Sequence, residues 1–231
     1  MTNNRKLNIV VEEVKNYLRF LSETGCTGFD CEKKNLEAIE SWGKDRAFIP
    51  ETLEQIRADI GDCHRCKLSN SRKNIVFGAG SPSARLVFVG EGPGFEEDKT
   101  GKPFVGAAGK LLTKIIQAIK LTREQVYICN IIKCRPPGNR NPEPDEIKRC
   151  FPFLKRQIAV IKPDFICTLG TFASQTLLET KKPISRLRGR FYDFMGIKLI
   201  PTYHPAYLLR NPDKKRDVWE DMKKLMNEMG E

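Results

Sequence analysis

The sequence contains no long hydrophobic run. Hydrophobic residues make up 40% of its 231 residues. They nowhere form the roughly 18-residue stretch that a membrane-spanning helix needs. No secretory signal peptide opens the chain. We therefore expect a cytoplasmic monomer without a membrane partner, and a chain of this length can bury one substantial core.

The glycine-rich segment 90–112, GEGPGFEEDKTGKPFVGAAGKLL, lacks both common phosphate-binding signatures. No Gly-Lys-Ser/Thr follows its glycines, and the Gly-x-Gly-x-x-Gly spacing of a dinucleotide site is missing. An apolar run at 85–89 precedes the segment, and apolar residues at helical spacing end it. Because such a loop lets backbone approach a ligand closely, we expect it to form one side of a pocket for another kind of ligand.

Acidic residues are scarce between residues 101 and 200. Residues 101–200 carry 19 Lys and Arg against seven Asp and Glu, whereas residues 1–50 carry eight of each sign. A positive excess concentrated in one region indicates a polyanionic partner, most simply nucleic acid. A generally solvated basic surface is the alternative.

Cysteine is plentiful, and without a secretory signal the eight cysteines argue against a disulfide framework. Cys63 and Cys66 form a Cys-x2-Cys pair, and Cys134 and Cys150 follow further along the chain. Four thiolates can hold a [4Fe–4S] cluster or a tetrahedral zinc ion, and the spacing alone does not distinguish them. Four unligated buried cysteines are the alternative. The spacing indicates no role for the remaining four cysteines, which are Cys26, Cys31, Cys129 and Cys167.

An alternation of strand and helix patterns begins at residue 85, after a loop-like stretch at 71–84. Strands are predicted at 85–89, 126–131, 164–169 and 198–202, with a further candidate at 190–194. Helices are predicted at 107–120, 143–161, 171–179 and 212–229. This order predicts an α/β fold with a parallel sheet covered on both faces. Residues 1–50, with helical patterns at 7–21 and 36–42, predict a helical extension of unknown role ahead of a domain at 51–231.

Ligands of such sheets bind beyond the carboxyl ends of the strands. That rule brings the glycine-rich loop together with Asn130 and His204, each of which follows a predicted strand. His204 suits hydrogen bonding to an oxyanion, and the amide of Asn130 suits the edge of a nucleobase. Phe104 is a candidate platform for stacking a base. Taken singly, each also has a structural interpretation, as a core, capping or turn residue. The segment YLLR at 207–210 is either a wedge for a base stack or the start of a helix.

Three long motifs and the four cysteines together resemble the family-4 (iron–sulfur) uracil-DNA glycosylases over about residues 55–229. The motifs are GEGPGFEEDKTGKPFVGAAGKLL, NIIKCRPPGNRNP and HPAYLLR. The resemblance implies a three-layer α/β/α sandwich around a parallel four-stranded sheet. It also implies a base-excision-repair enzyme that flips uracil out of single- or double-stranded DNA, hydrolyses the N-glycosidic bond and leaves an abasic site.

The resemblance assigns roles to individual residues. A structural [4Fe–4S] cluster would be held by Cys63, Cys66, Cys134 and Cys150. Phe104 would stack on the flipped base, Asn130 would bond its O4 and N3, and His204 would donate to O2 as negative charge develops there.

Further roles follow for the loop and for the DNA contact. Gly90 and Gly92 would contact the base through their backbone, and Glu97 would exclude the methyl group of thymine. The best-known uracil-DNA glycosylases carry a water-positioning carboxylate where this chain has Gly92, so the neighbouring Glu91 is the candidate to orient water. In the last motif, Leu208 would fill the vacated stack and Arg210 would hold phosphate.

Three alternatives stay open, the first of them within the same superfamily. A uracil-DNA binder trapped covalently on its product would carry a basic insert with a histidine, and NRNP at 139–142 offers neither. A non-enzymatic iron–sulfur DNA-binding module, or a zinc-ribbon-like one, would not need His204, Asn130 and Phe104 together. Docking onto a replication clamp is an open question at the level of sequence.

Overall fold

The computed structural model describes residues 12, 14–20, 23 and 51–230. The chain divides into two compact units, Met1–Ile49 and Pro50–Glu231. In the first unit the described residues are helical, in agreement with the helical pattern at 7–21. The second predicted helix of this unit, Cys26 and Cys31 lie outside the described residues. No helix within the described ranges is both long and apolar enough to cross a membrane.

The second unit is built on one mixed sheet. Its strands are β1 (Ala79–Gly80), β2 (Leu86–Gly90), β3 (Tyr127–Asn130), β4 (Phe165–Leu169), β5 (Tyr192–Phe194) and β6 (Ile197–Thr202). Their order across the sheet is β1-β3-β2-β4-β6-β5. The four central strands are parallel to one another, so their carboxyl ends meet at one edge.

The four expected parallel strands are present, and one further strand extends the sheet at each edge: β5 lies within the strand candidate at 190–194, whereas β1 was not expected. β1 pairs antiparallel with β3, and β5 pairs antiparallel with β6. β1 escaped prediction because two residues, Ala and Gly, give no hydrophobic alternation within the predicted loop 71–84. β5 joins β6 through Met195 and Gly196, whose φ angles of 56° and 82° are typical of a tight type I′ hairpin turn.

Helices cover both faces of the sheet, as the α/β pattern predicts. They are α1 (Leu53–Ile60), α2 (Phe95–Thr100), α3 (Ala107–Ala118), α4 (Pro144–Ile161), α5 (Thr171–Leu177), α6 (Ile184–Leu187), α7 (Pro205–Arg210) and α8 (Lys215–Met229). Along β2, Val87 and Val89 enter a hydrophobic cluster that includes residues of α1 and α4. The intervening Leu86 and Phe88 enter a second cluster with residues of α3 and α8. Alternate side chains of one buried strand therefore serve two cores, which makes the fold a three-layer sandwich.

Candidate active site

A crevice of about 720 Å³ opens at the carboxyl ends of the central strands. The crevice lies at the edge of the sheet where the sequence predicts a ligand site, beyond the carboxyl ends of the parallel strands. Most of the predicted site residues line it: Glu91, Gly92, Glu97, Phe104, Asn130, His204 and Arg210. Gly90 and Leu208 do not line it.

Gly90 forms the base on which two of these side chains pack. It stands opposite Asn130 in the parallel register of β2 and β3. A Cβ at Gly90 would lie 2.4 Å from Oδ1 of Asn130 and 2.6 Å from Cζ of Phe104. Both distances are far below van der Waals contact, so the position requires glycine. The smallest residue therefore lets an amide and an aromatic ring meet at the floor of the crevice.

The side chain of Asn130 carries a buried hydrogen-bond acceptor without a partner. The residue is 1% exposed. Its Oδ1 is the one such atom among the buried side-chain oxygens and nitrogens of the described residues. Leaving a buried polar atom unpaired costs about 1–3 kcal/mol. An acceptor maintained at that cost on a crevice wall is arranged for a donor that a ligand brings.

His204 is fixed as a neutral hydrogen-bond donor. It precedes α7, and its Nδ1 accepts a hydrogen bond from the backbone N–H of Ala206 at 3.1 Å. The hydrogen of the neutral ring therefore lies on Nε2. Burial lowers the pKa of His204 to about 4, and the cation of Arg210 acts in the same direction. At neutral pH the ring is uncharged and has one N–H to offer.

The position of His204 depends on close packing against the neighbouring strand end. Gly170, at the start of α5, has a φ of 90°, and a Cβ there would come within 2.9 Å of Cβ of His204. On the crevice side, the ring centroid of His204 lies 5.7 Å from that of Phe104. The imidazole is therefore held between a glycine backbone and an aromatic ring.

Phe104 is held in a strained backbone conformation. Its φ is 52°, a left-handed value that bulky residues rarely adopt. A Cβ at Gly109 in α3 would stand only 2.0 Å from the carbonyl of Phe104, so the loop packs directly on the helix backbone. Strain of this kind persists where the surrounding structure enforces it, commonly at ligand sites.

Glu97 organises the loop that carries Phe104. One carboxylate oxygen accepts a hydrogen bond from the backbone N–H of Gly94, and the other accepts from Val105 and Gly106. The distances are 3.1, 2.9 and 3.0 Å. A single side chain therefore joins the start of α2 to the start of α3. The position of Glu97, three residues after Gly94, matches the glutamate half of a capping box, and this signal is present in the sequence.

Glu91 borders the crevice with a perturbed carboxyl group. Burial raises its pKa to about 7, because removal from water disfavours the charged form. A carboxyl group with this pKa exchanges its proton near neutral pH, which suits a group that orients or activates water.

The HPAYLLR motif forms a helix, and only one side of it faces solvent. Leu208 is 1% exposed and packs in the cluster that contains residues of α8, whereas Leu209 is 47% exposed. The prediction that Leu208 contacts DNA does not fit this burial. Successive helical residues point about 100° apart, so burying Leu208 turns Leu209 outward. Arg210 is exposed at the rim of the crevice.

The four predicted ligand cysteines surround one small cavity. Cys63, Cys66, Cys134 and Cys150 line it together with side chains of α1 and α4. Two of the sulfurs accept hydrogen bonds, from the guanidinium of Arg65 and from the backbone N–H of Lys133. Within residues 51–230, no three His, Cys, Asp or Glu side chains are gathered so that they could by themselves hold a metal ion. A donor set of four sulfurs around a shared cavity fits a group that fills the space between them.

The other two described cysteines lie elsewhere. Cys129 and Cys167 are buried in central strands, one in each hydrophobic cluster. Burial raises the pKa of both thiols. They behave as small core residues.

Several crevice residues were not singled out from the sequence. They are supplied by the segment after β3, the start of α5 and the segment before α7: Pro136, Arg140, Thr171, Phe172 and Tyr203. Arg140 lies in the NRNP stretch at 139–142. The basic and proline-rich composition of that stretch was the available signal.

The family model that matches the chain and three relatives to which the chain is similar are all described as uracil-DNA glycosylases. Residues 77–223 match the model of the uracil DNA glycosylase superfamily. The chain is 48% identical over 178 residues to a type-4 uracil-DNA glycosylase of Thermotoga maritima, covering 75% of this chain and 93% of that protein. It is 47% identical over 184 residues to the Sulfurisphaera tokodaii type-4 enzyme, covering 76% and 84%. With the type-4 enzyme of Archaeoglobus fulgidus, the identity is 43% over 183 residues, covering 76% and 92%.

Proposed function

The chain belongs to the type-4 enzymes of the uracil-DNA glycosylase superfamily and is a monofunctional uracil-DNA glycosylase of DNA repair, and we propose that its crevice excises uracil as follows. A uracil flipped out of DNA enters the crevice, its N-glycosidic bond is hydrolysed, and free uracil and an abasic site result. The observation that carries the proposal is the buried, unpaired Oδ1 of Asn130.

Asn130 distinguishes uracil from cytosine. Oδ1 accepts a hydrogen bond from N3–H of uracil, and the amide nitrogen donates to O4. Cytosine presents an acceptor at N3 and a donor at N4, so both pairs are reversed. A site built on buried hydrogen bonds rejects such a mismatch strongly, because its polar groups are left unpaired. Phe104 stacks on the extruded base, and Gly90 and Gly92 allow the backbone to approach it.

His204 stabilises the leaving group. Cleavage of the glycosidic bond leaves positive charge on the sugar and negative charge on uracil O2. The Nε2–H of His204 donates to this oxygen while the ring stays neutral, and that tautomer is supported by the bond from Ala206 to Nδ1. A donor that is fixed in advance, in a site removed from water, stabilises developing charge without reorganising.

Glu91 orients the attacking water. The next residue, Gly92, has no carboxylate. Its backbone packs on Ile132, and a Cβ at Gly92 would lie 2.8 Å from that side chain, so there is no room for one. The raised pKa of Glu91 keeps a proton acceptor available in the neutral range. Glu97, by contrast, is a positioning residue, since its carboxylate is occupied by three backbone N–H groups.

This assignment predicts a pH profile. Single-turnover uracil release should increase as pH increases toward about 7 and level off above it, because Glu91 then loses its proton. His204 should add a second loss of activity only near pH 4. Glu91→Gln should remove the step near neutrality, while Glu96→Gln, an exposed neighbour, should keep it. An unchanged step in Glu91→Gln would show that another group is the base.

Leu209 and Arg210 make the contact with DNA in our proposal. A flipped base leaves a gap in the stack, and apolar side chains commonly fill such gaps. Leu209 is exposed and adjacent to Arg210 at the crevice rim, which favours it over the buried Leu208. The guanidinium of Arg210 would bind a flanking phosphate.

The two leucines should therefore behave differently on substitution. Leu209→Ala should slow excision from duplex DNA by about tenfold, the effect of roughly one lost apolar contact. It should leave single-stranded DNA and the thermal midpoint nearly unchanged. Leu208→Ala should instead reduce the free energy of unfolding by about 2–5 kcal/mol, as for a fully buried leucine. If Leu209→Ala slowed excision equally from duplex and single-stranded DNA, this would contradict the proposal that Leu209 fills the gap in the base stack.

Cys63, Cys66, Cys134 and Cys150 would hold a [4Fe–4S] cluster. Their shared cavity supports this ligand set. The cluster would supply a rigid cross-link between the segment after α1, the segment after β3 and α4, and it would take no part in the chemistry. The protein should show broad visible absorbance when purified without oxygen. Cys134→Ser should lose that absorbance and lower the thermal midpoint. Cys129→Ala, in the preceding strand β3, should keep the absorbance. A colourless wild-type protein with bound zinc would refute the cluster.

Free uracil is the decisive product. The experiment is a uracil-release assay on U:G, U:A and single-stranded DNA, with T:G and hypoxanthine substrates as controls. We expect free uracil and an abasic site from the uracil substrates, with the protein acting as a monomer. A stable covalent adduct with DNA would support the trapped binder instead, and binding without release would support the non-enzymatic module.

A further inference from the structure

Lys133 is an unusually buried lysine. It is 2% exposed, and in the described part of the chain its Nζ bonds only neutral oxygens. Nζ donates to the backbone carbonyl of Asn130 at 2.9 Å and to Oε1 of Gln157 at 2.6 Å. Lysine is almost never fully buried without a charged partner, because removal from water is costly. Lys133 is not used in the mechanism above, so its burial calls for another function.

The carbonyl of Asn130 needs a donor on the outer side of β3. On that side β1 pairs only with Tyr127 and Ile128 and ends before Asn130. On the side of β3 that faces β2, the next residue is fixed, because the N–H of Ile131 donates to the carbonyl of Gly90 at 2.9 Å. Nζ of Lys133 therefore takes the place of the missing strand neighbour. Asn130 is thus fixed from both sides at the residue whose side chain faces the crevice.

The other groups of Lys133 are also fixed. Its backbone N–H donates to Sγ of Cys150 at 3.2 Å, and its carbonyl accepts from the N–H of Val76 at 2.8 Å. Gln157 in α4 is held in turn, because its amide nitrogen donates to the carbonyl of Phe77 and to the hydroxyl of Tyr127. One residue therefore connects the wall of the cysteine cavity to the backbone of Asn130.

We propose that Lys133 is a positioning residue for base recognition: it holds the Asn130 amide against uracil and couples that position to the four-cysteine cavity. The inference rests on the proposed function of Asn130. It adds that the geometry of the recognition site depends on a residue that never touches the base. Removing the Nζ donor should let the end of β3 shift, and the Asn130 amide should then fit uracil less well.

The test measures inhibition of the intact enzyme by free uracil, which reports on the recognition site without DNA contacts. Lys133→Met keeps the length of the side chain and removes the donor. We expect the inhibition constant to increase by about tenfold, which corresponds to one lost hydrogen bond. Visible absorbance per protein should stay at the wild-type level, since the backbone N–H to Cys150 is retained. Lys148→Met, an exposed lysine in α4, is the control and should change nothing.

A double-mutant cycle separates positioning from general damage. In an Asn130→Ala background, Lys133→Met should have no further effect on the inhibition constant, because the amide it positions is gone. Equal effects in both backgrounds would overturn the inference. If Lys133→Met does not fold, Gln157→Met removes the second acceptor of Nζ and should weaken uracil inhibition in the same direction. Unchanged inhibition in that variant would also overturn it. A wild-type protein that releases no uracil would refute the proposed function itself, before any variant is compared.

Discussion

Replacing His204 by alanine should slow single-turnover uracil release by about 100- to 1,000-fold, the usual loss when one fixed donor to a developing anion is removed. The reason is specific to this site. Nδ1 of His204 is occupied by the N–H of Ala206, so Nε2–H is the only donor the ring can direct at uracil O2. Binding of uracil-containing DNA should change far less, because charge on O2 develops only as the glycosidic bond breaks.

Two comparisons sharpen this expectation. His64→Ala removes the only other histidine of the chain, which is exposed and bonded to Asp62, and should leave uracil release near the wild-type level. His204→Gln keeps a donor of similar reach and should recover part of the lost rate. If instead a charged imidazolium were needed, activity would already decline well above pH 4. A rate that stays constant above the transition of Glu91 therefore supports the neutral donor, because a required imidazolium would make the rate fall there.

The location of the candidate active site could be predicted from the sequence, because it follows from chain order. Residues after parallel strands meet at one edge of the sheet, and this rule was sufficient to bring Asn130 and His204 into one crevice. The tautomer of His204 could not be predicted. It depends on a backbone N–H two residues away, and that bond exists only because α7 begins at Pro205.

Side-chain direction was the part that sequence reasoning missed. Leu208 and Leu209 are identical residues side by side, so only the packing of α7 on the core decides which one faces solvent. Glu97 is similar, because a carboxylate in a glycine-rich loop can face a ligand or bind its own backbone. Here three N–H groups converge on it. The short strand β1 could not be predicted for another reason: it is defined by its neighbour β3, and its own two residues carry no hydrophobic pattern.

Replacing Asn130 by aspartate should abolish most uracil excision, by about a thousandfold or more, since a site built on hydrogen bonds discriminates at this level. The change substitutes one atom, so the volume at the floor of the crevice is retained. The carboxylate offers acceptors where the amide nitrogen donated to O4, and its charge opposes the uracil anion as that anion forms. The expected loss is therefore in the chemical step as well as in binding.

The same variant tests the direction of recognition. A protonated aspartate can donate to N3 of cytosine and accept from its N4, so release of cytosine should increase relative to release of uracil, most clearly at low pH. Parallel assays on uracil- and cytosine-containing single strands would measure that ratio. Asn227→Asp on the exposed face of α8 makes the identical chemical change away from the crevice and should leave the ratio at its wild-type value. If Asn130→Asp keeps wild-type uracil release, Oδ1 and the amide nitrogen do not contact the base, and the unpaired acceptor that carries the functional proposal needs another ligand.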